Sequence, residues 1–202
     1  MGIFSWSKTL EVKYQADVAV LGGGIAGVTA ACAAAKSGAK VVLVENFAAT
    51  GGNMTTGGVA GFCGETAGQG EVFDEIVEGL TAFGGISPYA PYGTRYDPDR
   101  IPGSKDGRLM DTELLSIVLQ EVLLKRDIKL LLHTKFIDVI MEGNRIEAVV
   151  LCGASGTELL TASQYIDTTG EAQVAHSAGF TTRKGRPEDG LQLPMSFKLY
   201  ID

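Results

Sequence analysis

Three glycines, Gly22, Gly24 and Gly27, stand in the order G-x-G-x-x-G within the stretch DVAVLGGGIAGVTAACAAAKSGAKVVLVEN, and Glu45 closes the apolar run that follows. Glycines at this spacing suit a phosphate. The first permits a tight turn, the second lets backbone approach a pyrophosphate, and the third lets a helix pack closely on a strand. Ile25 and Ala26, next in line, would open a helix whose unpaired amides and positive dipole end attract an anion. Glu45 is placed to accept hydrogen bonds from a ribose diol and to repel a 2′-phosphate. The implied chemistry is capture of an adenosine diphosphate moiety. NAD and FAD both carry one, and this pattern leaves the two open.

A strand, a helix and a second strand must hold those residues in place. Asp17 to Leu21 is a short Val-rich run that stops at Gly22-Gly23-Gly24, and Ile25 to Ser37 is Ala-rich with Gly38 just beyond it. That order reads strand, tight turn and helix. Val41 to Val44 is continuously apolar, as a strand of a parallel sheet covered on both faces should be. Downstream, EVFDEIVEGLTAF puts Val72, Phe73, Ile76, Val77, Leu80 and Phe83 on one helical face. The Pro- and Tyr-rich segment from Gly84 to Gly107 reads as a long loop of the kind that serves as a lid or partner surface. Asp111 is placed to cap a helix with the apolar stripe Leu114, Leu115, Val118, Leu119, Val122 and Leu123. Between Phe136 and Leu160, EGNR and CGASG separate three short strands of an antiparallel meander. Tyr165 to Asp167 then rejoins the main sheet before a short helix from Glu171 to Ser177. The fold class expected is α/β: a Rossmann-like parallel sheet with an antiparallel β-meander and the beginning of a second domain.

Composition narrows the function classes. The chain has 202 residues, 45% of them hydrophobic and 20% charged, with a net charge of -7. This is a soluble globular balance without the basic footprint of a nucleic-acid binder. No apolar run reaches the roughly 20 residues of a membrane span. Cys32, Cys63 and Cys152 form no CxxC pair, which argues against a disulfide framework and against a zinc or other metal site, and for a reducing cytoplasm. The opening MGIFSWSKTLEV lacks the basic flank and apolar core of a secretory signal, and Trp6 stands where a myristoylation pattern needs Ser or Thr.

Beyond Glu45 the sequence runs ENFAATGGNMTTGGVAGFCG, and Gly51-Gly52 in it resembles the second part of the two-part signature of FAD-binding flavoproteins. NAD dehydrogenases generally lack that element. The segments LLHTKFIDVI, GNRIEAVVL and ASQYIDTTGEAQVAHSAG resemble successive pieces of the FAD-dependent oxidoreductase family, related in fold to the glutathione-reductase type. GRPEDGLQLPMSF is similar to the DG-x-x-x-PM element that leads into that family's substrate domain. The resemblance implies FAD as cofactor. It places Gly22, Gly24, Ile25, Ala26 and Gly27 at the cofactor, with Glu45 and Asn46 beside the ribose. Gly51, Gly52, Asn53, Thr56 and Gly57 lie along the extended molecule, Phe136 at the adenine, and Thr169 and Gly170 nearby. It also implies an FAD-binding domain over 1–180, with a helical and loop insertion at about 61–107, and the start of a substrate domain over 181–202. Relatives of this family are roughly twice as long. A second polypeptide supplying the remainder is therefore expected, in a hetero-oligomer acting on a small organic molecule. The rival readings are an NAD-binding or thiazole-synthase-like enzyme and a non-catalytic subunit that keeps the nucleotide fold for assembly.

Flavin chemistry is carried by the cofactor, so few catalytic side chains are needed. His133 and His176 read as structural. Cys63 follows the glycine-rich run and is a candidate redox thiol or flavin attachment point, although a small buried cysteine is the more ordinary reading; Cys32 reads as packing. Arg95, Arg183 and Arg186 are candidates to clamp a substrate carboxylate, and Tyr89, Tyr92 and Tyr96 to line a pocket. None is identified as a catalytic residue.

Overall fold

The Val-rich runs on either side of the glycine turn pair side by side. In this computed structural model, which describes residues 2, 4, 7–62, 68–87, 90–91 and 106–195, β1 (Val12–Leu21) lies parallel to β2 (Val41–Val44), with Val18 opposite Val41 and Leu21 opposite Val44. Between them runs α1 (Ile25–Lys36), and Gly38 follows it at φ 86°. Strand β1 starts earlier than the apolar run suggests. Its first half is polar at the surface but finds a long parallel partner in β9 (Gly156–Asp167), paired from Val12 to Leu21.

The next segments build a helical layer. The 3-10 turn Gly52–Met54 leads through β3 (Gly61–Phe62) to α2 (Glu71–Ala82), and β4 (Ala90–Pro91) and β5 (Asp106–Leu109) precede α3 (Thr112–Leu124). Strands β3, β5 and β4 form a small antiparallel sheet. The stretch expected as a loop from Gly84 to Gly107 therefore holds strand at its described ends. Its pairing partners lie outside that segment or across it, beyond the reach of a local pattern. Phe83, expected on the inner face of α2, is instead half-exposed, because the helix ends at Ala82 and the chain turns away there.

In α3 the Asp111 side chain accepts the amides of Glu113 and Leu114 at 2.9 and 3.0 Å, the N-cap that its position requires. Leu115, Val118, Leu119, Val122 and Leu123 are fully buried or nearly so, each stabilising the fold by about 1.5–3 kcal/mol as an upper estimate. They pack with Val28, Ala31 and Cys32 of α1 and with Ile76 and Leu80 of α2 against Val20, Val41 and Leu43 of the sheet. The small side chains of α1 allow this three-helix layer to sit close to the strands.

The other face of the sheet is covered by strands. From β6 (Lys129–Leu131), beside β2, the chain passes to β7 (Lys135–Glu142), then β8 (Arg145–Gly153) and β9, giving the order β6-β2-β1-β9-β8-β7. A flat six-stranded sheet would separate its edges by about 24 Å. Leu131 and Lys135 are only four residues apart and reach about 15 Å at most. The sheet is therefore curled, and its antiparallel half turns back over its parallel half. Phe136, Val149, Leu151 and Leu160 accordingly pack with Ala19, Leu21, Val42 and Val44 in a second core, closed by Val174 of α4 (Gln173–Ser177). The meander and the return strand, expected as separate elements, are one: no glycine or proline interrupts Thr157 to Asp167, so β9 runs unbroken from the hairpin into the main sheet. From Phe180 to Met195 the chain has no helix or strand. Among the described residues no helix is long and apolar enough to cross a membrane.

Candidate functional site

The C-terminal ends of β1, β2 and β9 and the N-terminus of α1 open onto a cleft of about 790 Å³. Its floor is the glycine turn, and each glycine there answers a different neighbour. A Cβ on Gly22, which has φ 110°, would stand 2.4 Å from the Thr168 carbonyl oxygen. On Gly23 it would stand 2.9 Å from the Glu45 side chain, and on Gly27 1.8 Å from the Gly22 carbonyl oxygen. Gly24 differs: a Cβ there would meet nothing within 4 Å. The protein's own packing demands the other glycines, whereas the space beside Gly24 belongs to the cleft. Gly24 is also the N-cap of α1, and no side chain caps that helix or places an acid in its first turn. The amides of Ile25, Ala26 and Gly27 have no partner inside the helix. Donors and dipole thus point at an open space of a size that backbone can closely approach, the arrangement that favours a phosphate.

The walls are stitched to this floor. The Thr168 amide donates to the Leu21 carbonyl at 2.9 Å, and its hydroxyl lies 2.8 Å from the Gly22 carbonyl and 3.0 Å from that of Leu21. Asp167 accepts the amide and hydroxyl of Thr169 and the amide of Ala175, which fixes the turn through Thr169 and Gly170. On the opposite side the Gly51 amide donates to the Gly23 carbonyl at 2.8 Å, laying one glycine turn against the other. Gly51 has φ 114°, a conformation left to glycine.

Glu45 is 5% exposed. The Gly23 amide donates to its Oε2 at 2.6 Å and the Phe47 amide to its Oε1 at 2.7 Å. Two charge-assisted bonds offset the desolvation of the carboxylate. Each oxygen keeps a further lone pair, so the group can still accept a diol.

Most residues expected at a cofactor from the sequence share this cleft. Gly22, Gly24, Ile25 and Ala26 line its floor; Glu45, Asn46, Gly51, Gly52, Asn53 and Thr56 line one side. Phe136, Thr169 and Gly170 line the other. Gly27 and Gly57 do not face it: Gly27 packs on Gly22, and a Cβ on Gly57 would stand 2.7 Å from the Cα of Asn53. The cleft also includes Thr168, which belongs to the same Thr168-Thr169-Gly170 piece of the sequence, and Phe47, Thr134, Lys135, Glu171 and Gln173, which the motifs did not single out. Phe47 carried a usable signal, an aromatic two residues past the acid; Lys135 carried none.

Among the described residues the candidate reactive groups lie elsewhere. Cys32 is buried in the helical layer, where burial pushes its thiol up. His133, at φ 48°, donates its amide to the Phe47 carbonyl, and the His176 ring lies 3.3 Å from the Thr182 hydroxyl. Arg183 is exposed, and Arg186 is paired with Asp189. Cys63, Tyr89, Tyr92, Arg95 and Tyr96 lie outside the described residues. Away from the cleft, Lys36 of α1 pairs with Glu71 of α2 at 2.7 Å, and Arg126, in the turn after α3, pairs with Glu75 of α2 at 2.6 Å.

A curled parallel-rich sheet with a glycine-lined anion cradle at its strand ends defines a nucleotide-binding domain of Rossmann-like type. The sequence takes the identification further: residues 17–200 match the FAD dependent oxidoreductase family, and the chain belongs to that family. Its cofactor is accordingly FAD. Three solved structures illustrate the fold. THI4 of Thermovibrio ammonificans is 21% identical with a TM-score of 0.56, over 81% of this chain and 61% of that one. A geranylgeranyl bacteriochlorophyll reductase-like protein of Thermoplasma acidophilum is 19% identical with a TM-score of 0.60, over 85% and 45%. CabE, an aromatic hydroxylase from angucycline biosynthesis, is 26% identical with a TM-score of 0.60, over 82% and 33%. The chain thus spans less than two thirds of each of these proteins. No curated protein sequence matches it.

Proposed function

We propose that this chain is the cofactor-holding part of a flavoenzyme that moves hydride or electrons between a small organic substrate and FAD. The observation that carries this reading is the open side of Gly24 above the uncapped end of α1, where a Cβ would enter the cleft and touch no protein atom. In this reading the first-turn amides of α1 hold the pyrophosphate, and Glu45 with Asn46 takes the ribose. Backbone at Phe136 meets the adenine. Gly51, Gly52, Asn53, Thr56, Thr169 and Gly170 follow the extended remainder, while Gly27 and Gly57 keep the walls in register. The bound cofactor supplies the electron-pair chemistry; these residues bind it, orient it and shield its diphosphate from water.

A second polypeptide completing the substrate side belongs to the same proposal. Phe180, Leu191, Leu193 and Met195 follow α4 at 63%, 59%, 94% and 101% exposure, an apolar surface that calls for a cover. Cysteine usage supports a reducing compartment, the cytoplasm. The test is a visible absorbance spectrum of the purified chain followed by titration with FAD. Flavin bands that travel with the protein, or uptake of one FAD per chain, are the expected result. A chain that takes up no FAD at saturating concentration overturns the cofactor reading, and a stable monomer with full flavin turnover overturns the second polypeptide.

A further inference from the structure

We propose that Phe47 is the platform on which the adenine ring stacks, an assignment that rests on the reading of the cleft as an FAD site. Phe47 lines the cleft with 51% of its surface exposed, and it belongs to neither hydrophobic core. Its backbone is nonetheless held on both sides. Its amide donates to Glu45 Oε1 at 2.7 Å, and its carbonyl accepts the His133 amide at 3.0 Å. The adjoining Thr134 amide donates to the Glu45 carbonyl at 2.9 Å. His133 takes φ 48° at this corner, a conformation that costs a non-glycine residue free energy. The root of an exposed aromatic ring is therefore fixed at the mouth of the cleft.

The chemistry of the neighbouring acid says what should cover it. Glu45 takes the ribose diol, and the base is joined to that ribose by a single glycosidic bond. A purine held by Glu45 must then lie within one ring's width of the acid, where Phe47 and the β7 end at Thr134, Lys135 and Phe136 form the cleft wall. Phe136 is 8% exposed and packed in the core, so little of its ring is left to offer. Phe47 is the flat apolar surface available, and an aromatic face and a purine face attract by stacking.

The experiment measures calorimetric affinities of the 202-residue chain and its Phe47→Ala and Phe47→Trp variants for FAD, ADP and FMN. Stacking on an aromatic residue is strong enough that Phe47→Ala should weaken FAD and ADP equally, by roughly tenfold or more. Phe47→Trp should restore both. FMN, which has no adenine, should bind all three proteins alike, and the melting temperature without nucleotide should hold to within about 2 °C because the ring packs into no core. Unchanged FAD and ADP affinity in Phe47→Ala overturns the assignment, as does an equal loss for FMN. A wild-type chain that binds neither FAD nor ADP overturns the cleft reading and this assignment together.

Discussion

Replacing Gly24 by alanine separates what the protein needs from what its ligand needs. At φ -65° and ψ 179° the residue has a conformation open to alanine, and the added Cβ meets no protein atom within 4 Å. Alanine restricts the unfolded chain more than glycine does but is the poorer residue at the N-cap of α1, so the two effects oppose and folding stability should change by no more than about 1 kcal/mol. The methyl group instead occupies the space beside the α1 amides. Overfilling a packed contact costs about 1–3 kcal/mol, so FAD affinity should fall by roughly 5- to 150-fold. Gly27→Ala is the contrast, because its Cβ would stand 1.8 Å from the Gly22 carbonyl oxygen, and backbone cannot swing aside as a side chain can. That variant should lose about 3 kcal/mol or more and melt about 6–12 °C lower. Thermal melts without nucleotide and FAD titrations of both variants make the comparison. A Gly24→Ala protein destabilised like Gly27→Ala would refute the argument that its glycine serves a ligand. One that binds FAD with unchanged affinity would refute the placement of the pyrophosphate.

Three further outcomes are expected. Ala172 sits at φ 53° at the start of α4, so Ala172→Gly should relieve that conformation and stabilise the chain by about 0.5–1 kcal/mol, read from denaturant unfolding. Asp111→Ala removes the cap of α3 and should cost about 1 kcal/mol, with Asp111→Asn recovering most of it. Burial raises the Cys32 thiol above its unfolded value, so the folded state holds that proton more tightly. Its contribution is complete below the unfolded thiol pKa of about 8.5 and is lost as pH rises through the folded value. The stability gap between the wild type and Cys32→Ala should therefore narrow as pH is raised from about 7 to 10, and a constant gap in denaturant titrations would count against it.

Much of the parallel half was legible because its signals are local. The break in hydrophobic pattern at Gly22, the Ala-rich helix and the four-residue run Val41 to Val44 follow one another within the span of a single βαβ unit, and the structure places the elements there to within a few residues. Asp111 and the stripe of α3 read equally well, since a cap and a 3.6-residue period need no distant partner. The failures have a common cause. The early start of β1 depends on β9, the strands within the expected loop depend on β5, and the union of meander and return strand depends on the curl of the whole sheet. Each is a pairing between residues far apart in the chain, which no window of neighbouring residues records.

The sequence by itself determined the family, through it the FAD cofactor, and the position of the glycine turn, because these reside in residue types and their order along the chain. Tertiary structure decided which glycine serves which neighbour. Gly22, Gly23 and Gly27 are held by Thr168, Glu45 and Gly22, whereas Gly24 faces open cleft. It also brought Phe47, Thr134 and Lys135 to the mouth of that cleft, since β6 pairs with β2 and the chain leaving β6 continues alongside Glu45 and Phe47 into β7. Spacing along a chain encodes a turn; the contents of a cleft follow from the path of every strand that borders it.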